Sequence, residues 1–240
     1  MRKAIARGAR RRGLALALSC SALVIAGFAA VAPAASLTWV FSEGFESGGM
    51  PGWYEMVAHS GVHSGAQPSQ VRTEQSIVHS GSWAWRDIGP GGVRFYAYHP
   101  LPAIYGEVTV KAWVYVASHT SSAKLFAVRR HYGHSLEVYV DQRNRVSVRN
   151  NIAKITTYGK TTMASGGWHR VELHAAIGAG DGRFEVSVDG AAVPGLSLTG
   201  QNLGVWGFDE LRLGDIAQAP TFDIVVDDVK VRGAEPLTGV

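Results

Sequence analysis

The 240-residue chain is predicted to be all-β, a set of antiparallel strands in a sandwich or barrel, on three observations. From Ser36 onward no long stretch places apolar residues at helical spacing. Runs that alternate apolar and polar residues recur instead, bounded by Gly, Pro, Asn and Asp. Many short strands with such turns between them fold as a sandwich or barrel, and no repeat, low-complexity block or linker divides the chain.

In chain order, the first element is a leader. Residues 1–12 hold Arg2, Lys3, Arg7, Arg10, Arg11 and Arg12 without an acid, residues 14–31 are apolar, and Ala32-Pro33-Ala34 supplies small residues at cleavage spacing. That is the pattern of a secretory signal peptide over residues 1–34. The alternative is an uncleaved anchor, since the run nears membrane-spanning length, but Ala, Ser and Gly dilute it. No stable membrane anchor is expected. The whole chain has 23 Lys and Arg against 19 Asp and Glu; losing six cations leaves 17 against 19, or −2. A nucleic-acid partner, which needs a retained basic patch, is therefore excluded. The only cysteine, Cys20, leaves with the leader, so disulfide and thiol chemistry are excluded too. The protein is expected to be secreted or cell-surface, held together by core burial.

The predicted strands follow at residues 108–116, 125–128, 136–140, 145–149, 170–174, 184–188, 210–213 and 222–231, with turns at 141–144, 178–182 and 189–190. They fill one domain over residues 35–232, and residues 233–240 form a loose tail. Strand parity divides residues 110–116 into a face of Val and Ala112 and a face of Lys111, Trp113 and Tyr115. In 136–140 the polar set is Glu137, Tyr139 and Asp141. From Trp168, the set Trp168, Arg170, Glu172 and His174 opposes His169, Val171, Leu173 and Ala175. Trp168 is read as a packing anchor, and Asp189-Gly190 as a hairpin turn.

Several motifs fall in a telling order: Leu136-Glu-Val-Tyr-Val-Asp141, Gly167-Trp168-His169-Arg170-Val171, and Phe184-Glu-Val-Ser-Val-Asp189-Gly190. With Glu43-Gly-Phe45-Glu46 near the start and Val226-Asp227-Asp228-Val229 near the end, the chain resembles the concanavalin A-like, laminin-G-like domains of secreted bacterial proteins. The resemblance spans about the whole mature chain. It implies an antiparallel jelly-roll β-sandwich, two sheets face to face, with a groove on one outer face.

It also frames the site. Trp113 and Tyr115 could stack on sugar rings, with polar help from Tyr139, Arg129 and His131; the basic cluster would suit the carboxylates or sulfates of an acidic glycan. The competing reading covers Trp113 with a loop and leaves the arginines as a solvated rim. Related modules often hold a structural Ca²⁺ where the first and last strands meet, which nominates Glu43, Glu46 and Asp227 as oxygen ligands. By parity Asp227 points inward with Val229 and Val231. The resemblance further implies two enzymatic options. The Glu-x-Asp-x-(x)-Glu strand of the retaining glucanases is absent. So are the lyases' Gln-x-His and Tyr-x-Lys-x-Gly signatures, although Arg129, His131, Tyr139 and Arg149 have lyase chemistry. The expectation is thus a non-catalytic, lectin-like module recognising a polysaccharide or glycan. Its alternatives are a lyase acting on an acidic, uronate polysaccharide and a laminin-G-like protein-interaction or structural envelope domain. Oligomeric state is not encoded in any motif.

Overall fold

The computed structural model describes residues 36–59, 72–90, 93–130, 133–214 and 221–238. The leader and His131 lie outside them. The described residues hold no helix and fifteen strands: β1 Thr38–Glu43, β2 Tyr54–His59, β3 Arg72–Glu74, β4 Ala84–Pro90, β5 Val93–Tyr105, β6 Glu107–His119, β7 Ala123–Arg130, β8 His134–Val140, β9 Arg145–Asn150, β10 Ile155–Thr162, β11 Trp168–Ala176, β12 Gly178–Val188, β13 Ala191–Gly204, β14 Phe208–Leu213 and β15 Thr221–Gly233.

They form two antiparallel sheets. The eight-stranded sheet runs β13-β12-β11-β6-β15-β4-β3, with β1 also on β15; the seven-stranded sheet runs β10-β9-β8-β7-β14-β5-β2. β15 pairs with β6 along one edge, while its other edge takes β4 at its start and β1 at its end. This is the predicted sandwich, with the first and last strands paired.

Alternation builds the core. In β6 the residues Val108, Val110, Ala112, Val114 and Val116 are buried, and each residue between them is partly exposed as far as Ala117. They belong to one cluster with Val128, Leu136, Val138, Val140, Val146 and Val148 of the facing sheet. At roughly 25 cal/mol per Å² of apolar surface, this burial is the main stabilising force. On β11, Val171, Leu173 and Ala175 face the core as parity requires. The β12–β13 hairpin turns on Asp189 and Gly190, both at positive φ (53° and 85°), which these two residue types tolerate.

Two expectations change. Residues 178–182 are more than a turn, because Gly178, Ala179 and Gly182 also pair with β13 through an irregular register. The tail after Gly233 is tied down: Tyr105 bridges Pro236, and the Leu237 N–H donates to the Ile104 carbonyl at 2.8 Å.

Candidate functional site

The register of the seven-stranded sheet aligns outward residues into one row across every strand. From β10 to β2 it reads Thr156, Arg149, Glu137, Ala127, Arg212, Tyr98, Tyr54. A neighbouring row places Tyr158, Ser147, Tyr139 and Lys124 side by side. Where the rows meet there is a hollow of about 300 Å³, lined by Ser122, Glu137, Tyr139, Ser147, Arg149, Asn151, Thr156 and Tyr158.

The floor of this hollow is a buried charge network. Lys124 is fully buried, and its Nζ donates to Glu137 Oε1 at 3.1 Å. The Tyr139 hydroxyl donates to Glu137 Oε2 at 2.6 Å, and Lys124 also lies 5.5 Å from the Tyr139 ring centre. Burial pushes the Glu137 carboxyl up, but the Lys124 charge and hydrogen bonds from Tyr139, Lys124 and Asn151 outweigh it and hold the group below its usual range. This favours the ionised form of Glu137, whose Oε1 also accepts from Ser135 Oγ at 3.3 Å while Oε2 faces Tyr139. At the wall, Arg149 Nε donates to Asn151 Oδ1 at 3.2 Å, and one terminal nitrogen donates to the Lys154 carbonyl and to Thr156 Oγ1. Its other terminal nitrogen takes no part in these contacts. Tyr158 is half-exposed, with the Arg145 guanidinium 5.0 Å from its ring centre.

The structure divides the predicted ligand set. Tyr139 lines this hollow, and Arg129 lies on the same face farther along, at 3.4 Å from Glu210. Trp113 and Tyr115 project from β6 on the outer face of the other sheet, so they cannot share a ligand surface with Tyr139. The Trp113 ring is moreover stacked on His79, with centroids 3.8 Å apart. Trp168 completes this aromatic cluster, edge-on to His79 at 5.5 Å and tilted against Tyr115 at 5.6 Å. Trp168, the first residue of β11, thus packs against aromatic rings on the outer face and not into the core. Its neighbour His169 bonds Asp189 Oδ2 through Nδ1 at 2.8 Å, bracing the hairpin turn.

Beside the cluster lie the predicted metal ligands. A bulge between Asp227 and Lys230, with Asp228 at φ 49°, reverses the expected parity. Asp227 is fully buried, yet it pairs with Trp113 on the outer side and lies beneath the segment at residues 76–83. His79, Asp227 and Asp228 each offer one ligand atom within 4.8 Å of one another, a set that could hold a metal ion. It fits calcium poorly. Asp227 Oδ2 accepts the N–H groups of His79 and Ser80, and Oδ1 accepts that of Asp228. Glu46 accepts the N–H groups of Ser82 and Trp83, and Glu43 that of Phe45. These carboxylates serve as loop clamps, whereas Ca²⁺ takes six to eight oxygen ligands. Burial, reinforced by Asp228, raises the Asp227 carboxyl above its usual range despite the three N–H donors.

Sequence reasoning missed Lys124, Glu137, Asn151 and Arg212 as site residues. Strand parity did mark Glu137 as outward. Lys124 carried a signal as well, a lone cation ahead of an apolar run, but a bulge between Lys124 and Phe126 hides its face.

The fold is shared with solved structures. A carbohydrate esterase of the Shiga toxin-encoding bacteriophage phi24B matches with a TM-score of 0.56 at 13% identity, covering 83% of this chain and 100% of that one. Domain 4 of an extracellular arabinanase from Geobacillus stearothermophilus, in complex with arabinotriose, matches at 0.54 and 11%, covering 82% and 93%. The alginate lyase of a Chlorella virus matches at 0.50 and 12%, covering 79% and 96%. No curated protein sequence matches significantly. These neighbours are a carbohydrate esterase, one domain of an arabinanase and an alginate lyase, so the shared fold carries carbohydrate-active enzymes and the expectation that the chain lacks catalysis is withdrawn. A family profile matches residues 90–235, which is more than half of the sequence and includes β6 through β15. The chain belongs to the Laminin_G_3 family of the concanavalin A-like lectin/glucanases superfamily.

Proposed function

We propose that the outer face of the seven-stranded sheet binds an acidic polysaccharide and cleaves it by β-elimination. The observation that supports this most is the Lys124–Glu137–Tyr139 network opening into a hollow walled by Arg149 and Asn151. A uronate carboxylate held by the Arg149 guanidinium, whose plane Asn151 fixes through Nε, loses much of its negative charge, which lowers the cost of removing the adjacent C5 proton. Tyr139 oxygen takes that proton while its own hydroxyl proton passes to Glu137 Oε2. The C5 electron pair forms the C4–C5 double bond, the C4–O bond breaks, and Tyr158 returns a proton to the departing oxygen. Lys124 keeps Glu137 ionised until the proton arrives. Any ion held by His79, Asp227 and Asp228 would lie on the opposite face of the sandwich and takes no part in these steps. The alginate lyase likeness supports the fold's suitability for such a site.

The charged and then apolar residues 1–34 support export of the protein and removal of that leader. Incubation of the protein from Ala35 onward with polymannuronate, polyguluronate and polygalacturonate tests the proposal. Unsaturated sugar ends, seen by their ultraviolet absorbance, are the expected product. Tight binding with no product, or product from neutral polymers only, would overturn it.

A further inference from the structure

The face that holds the hollow has a second cationic station that the elimination does not use. Arg212 and Arg129 share one carboxylate, Glu210, at 2.9 Å and 3.4 Å. Two guanidiniums against one acid leave a net positive charge. Arg212 is only 6% exposed. Its Nε has no hydrogen-bond partner, and neither does that of Arg129, whose approach to Glu210 is an ion pair without hydrogen-bond geometry. Burial lowers the Arg212 pKa, and the Arg129 charge lowers it further. Buried cations that are incompletely paired are costly, and a planar guanidinium is matched by a carboxylate or sulfate.

The position of this station is informative. Arg212 stands in the same cross-strand row as Arg149, three strands away, or roughly 14 Å at the usual spacing of sheet neighbours. Between them in the row are Glu137 and Ala127, and the alanine methyl leaves the floor low. Beyond Arg212 the row ends on Tyr98 and Tyr54, stacked at 5.1 Å, with Tyr54 exposed. The Arg212 guanidinium itself lies 3.9 Å from the Tyr96 ring centre, which fixes its plane.

We infer that Arg212 and Arg129 form a second anion subsite, which takes the acid group of a sugar several units from the one being cleaved, and that Tyr98 and Tyr54 continue the track. The inference rests on the proposed function and names its substrate more narrowly: a long polymer with repeated carboxylates or sulfates, laid across the strands. Short acidic fragments reach only the hollow.

Wild type, Arg129→Gln and Arg129→Lys are compared on uronate trimers and hexamers, by calorimetric binding and by release of unsaturated product. Arg129 is partly exposed and its replacement spares the buried Arg212. The Gln variant is expected to lose about tenfold in hexamer affinity, the size of one charge-assisted hydrogen bond, and so to narrow the wild-type preference for hexamer over trimer. The Lys variant recovers part of that preference. Equal losses on both lengths, or none, would overturn the subsite while leaving the elimination intact. Absence of product from wild type with any uronate polymer would instead overturn the proposed reaction, and the calorimetric length preference would still decide the subsite.

Discussion

At the scale of single residues, Tyr139 and Lys124 have separable roles. Tyr139→Phe removes only an oxygen from the Glu137 contact and keeps the ring beside Lys124. The expected result is a kcat lower by about 10²–10⁴, the usual contribution of a general base, with KM little changed. A fall in KM-dependent binding with normal kcat would show that the hydroxyl only positions substrate. Lys124→Met acts on stability instead. It leaves Glu137 buried opposite an apolar chain, and removing one member of a buried ion pair costs about 3–5 kcal/mol. Urea denaturation should show that loss, and the double variant Lys124→Met, Glu137→Leu should recover most of it. A single variant as stable as wild type would mean that water reaches Glu137. Parity marked Tyr139 and Glu137 as outward from the alternating Leu136-Glu-Val-Tyr-Val pattern alone. Their partner was not legible, because pairing Lys124 with Tyr139 depends on a cross-strand register and a bulge that no local spacing encodes.

At the scale of elements, the segment at residues 76–83 depends on Glu46 in the turn after β1, on Asp227 and Asp228 of β15, and on one glycine. Glu46 and Asp227 accept its N–H groups, and His79 seals it onto Trp113. Gly81 has φ +66°, and a Cβ there would come within 2.3 Å of a Glu46 carboxylate oxygen. Gly81→Ala therefore strains the backbone and displaces the clamp. It is expected to destabilise by more than about 1 kcal/mol, with faster hydrogen exchange at the Ser80 and Ser82 amides. Unchanged exchange would show that the segment is held by His79 and Trp113 alone. The strands themselves were easier to anticipate than this segment. Residues 108–116 and 136–140 alternate so regularly that their inward faces could be assigned, and Asp189-Gly190 announced its hairpin. The sheet in which each strand sits was not encoded in that way. Trp113 and Tyr139 both belong to polar, aromatic strand faces, and only the order of strands separates them onto opposite surfaces. The parity of Asp227 failed for a related reason, since the bulge after it turns Val229 inward and leaves Asp227 outward under a loop.

At the scale of the whole molecule, carboxylates with lowered and raised pKa values act on stability in opposite senses. Glu137 and Asp141 on the seven-stranded sheet, and Asp189 at the β12–β13 turn, all have lowered pKa values, although burial alone would raise them. Lys124 and Tyr139 lower the first, Arg145 the second, and His169 the third. A carboxyl whose folded pKa lies below its unfolded value binds fewer protons when folded. Its stabilisation is present above the ordinary values of 4.5 for Glu and 3.8 for Asp, and is lost as pH falls through the lowered folded pKa. Asp227 behaves in reverse: its raised folded pKa favours the folded state below 3.8, and that contribution disappears as pH rises through the folded value. Three groups against one make acid the destabilising direction. Urea midpoints should fall as pH drops through 6.5, where burial disfavours the charged form of His99, and fall again below about 4, and Glu137→Gln should flatten the lower fall. In the same titration Asp227→Ala, which deletes the opposing group along with its loop clamp, should start from a lower midpoint and fall more steeply. A profile that rises toward acid in the wild type would mean that Asp227 dominates, and that the network around Lys124 holds less of the sandwich together than its burial implies.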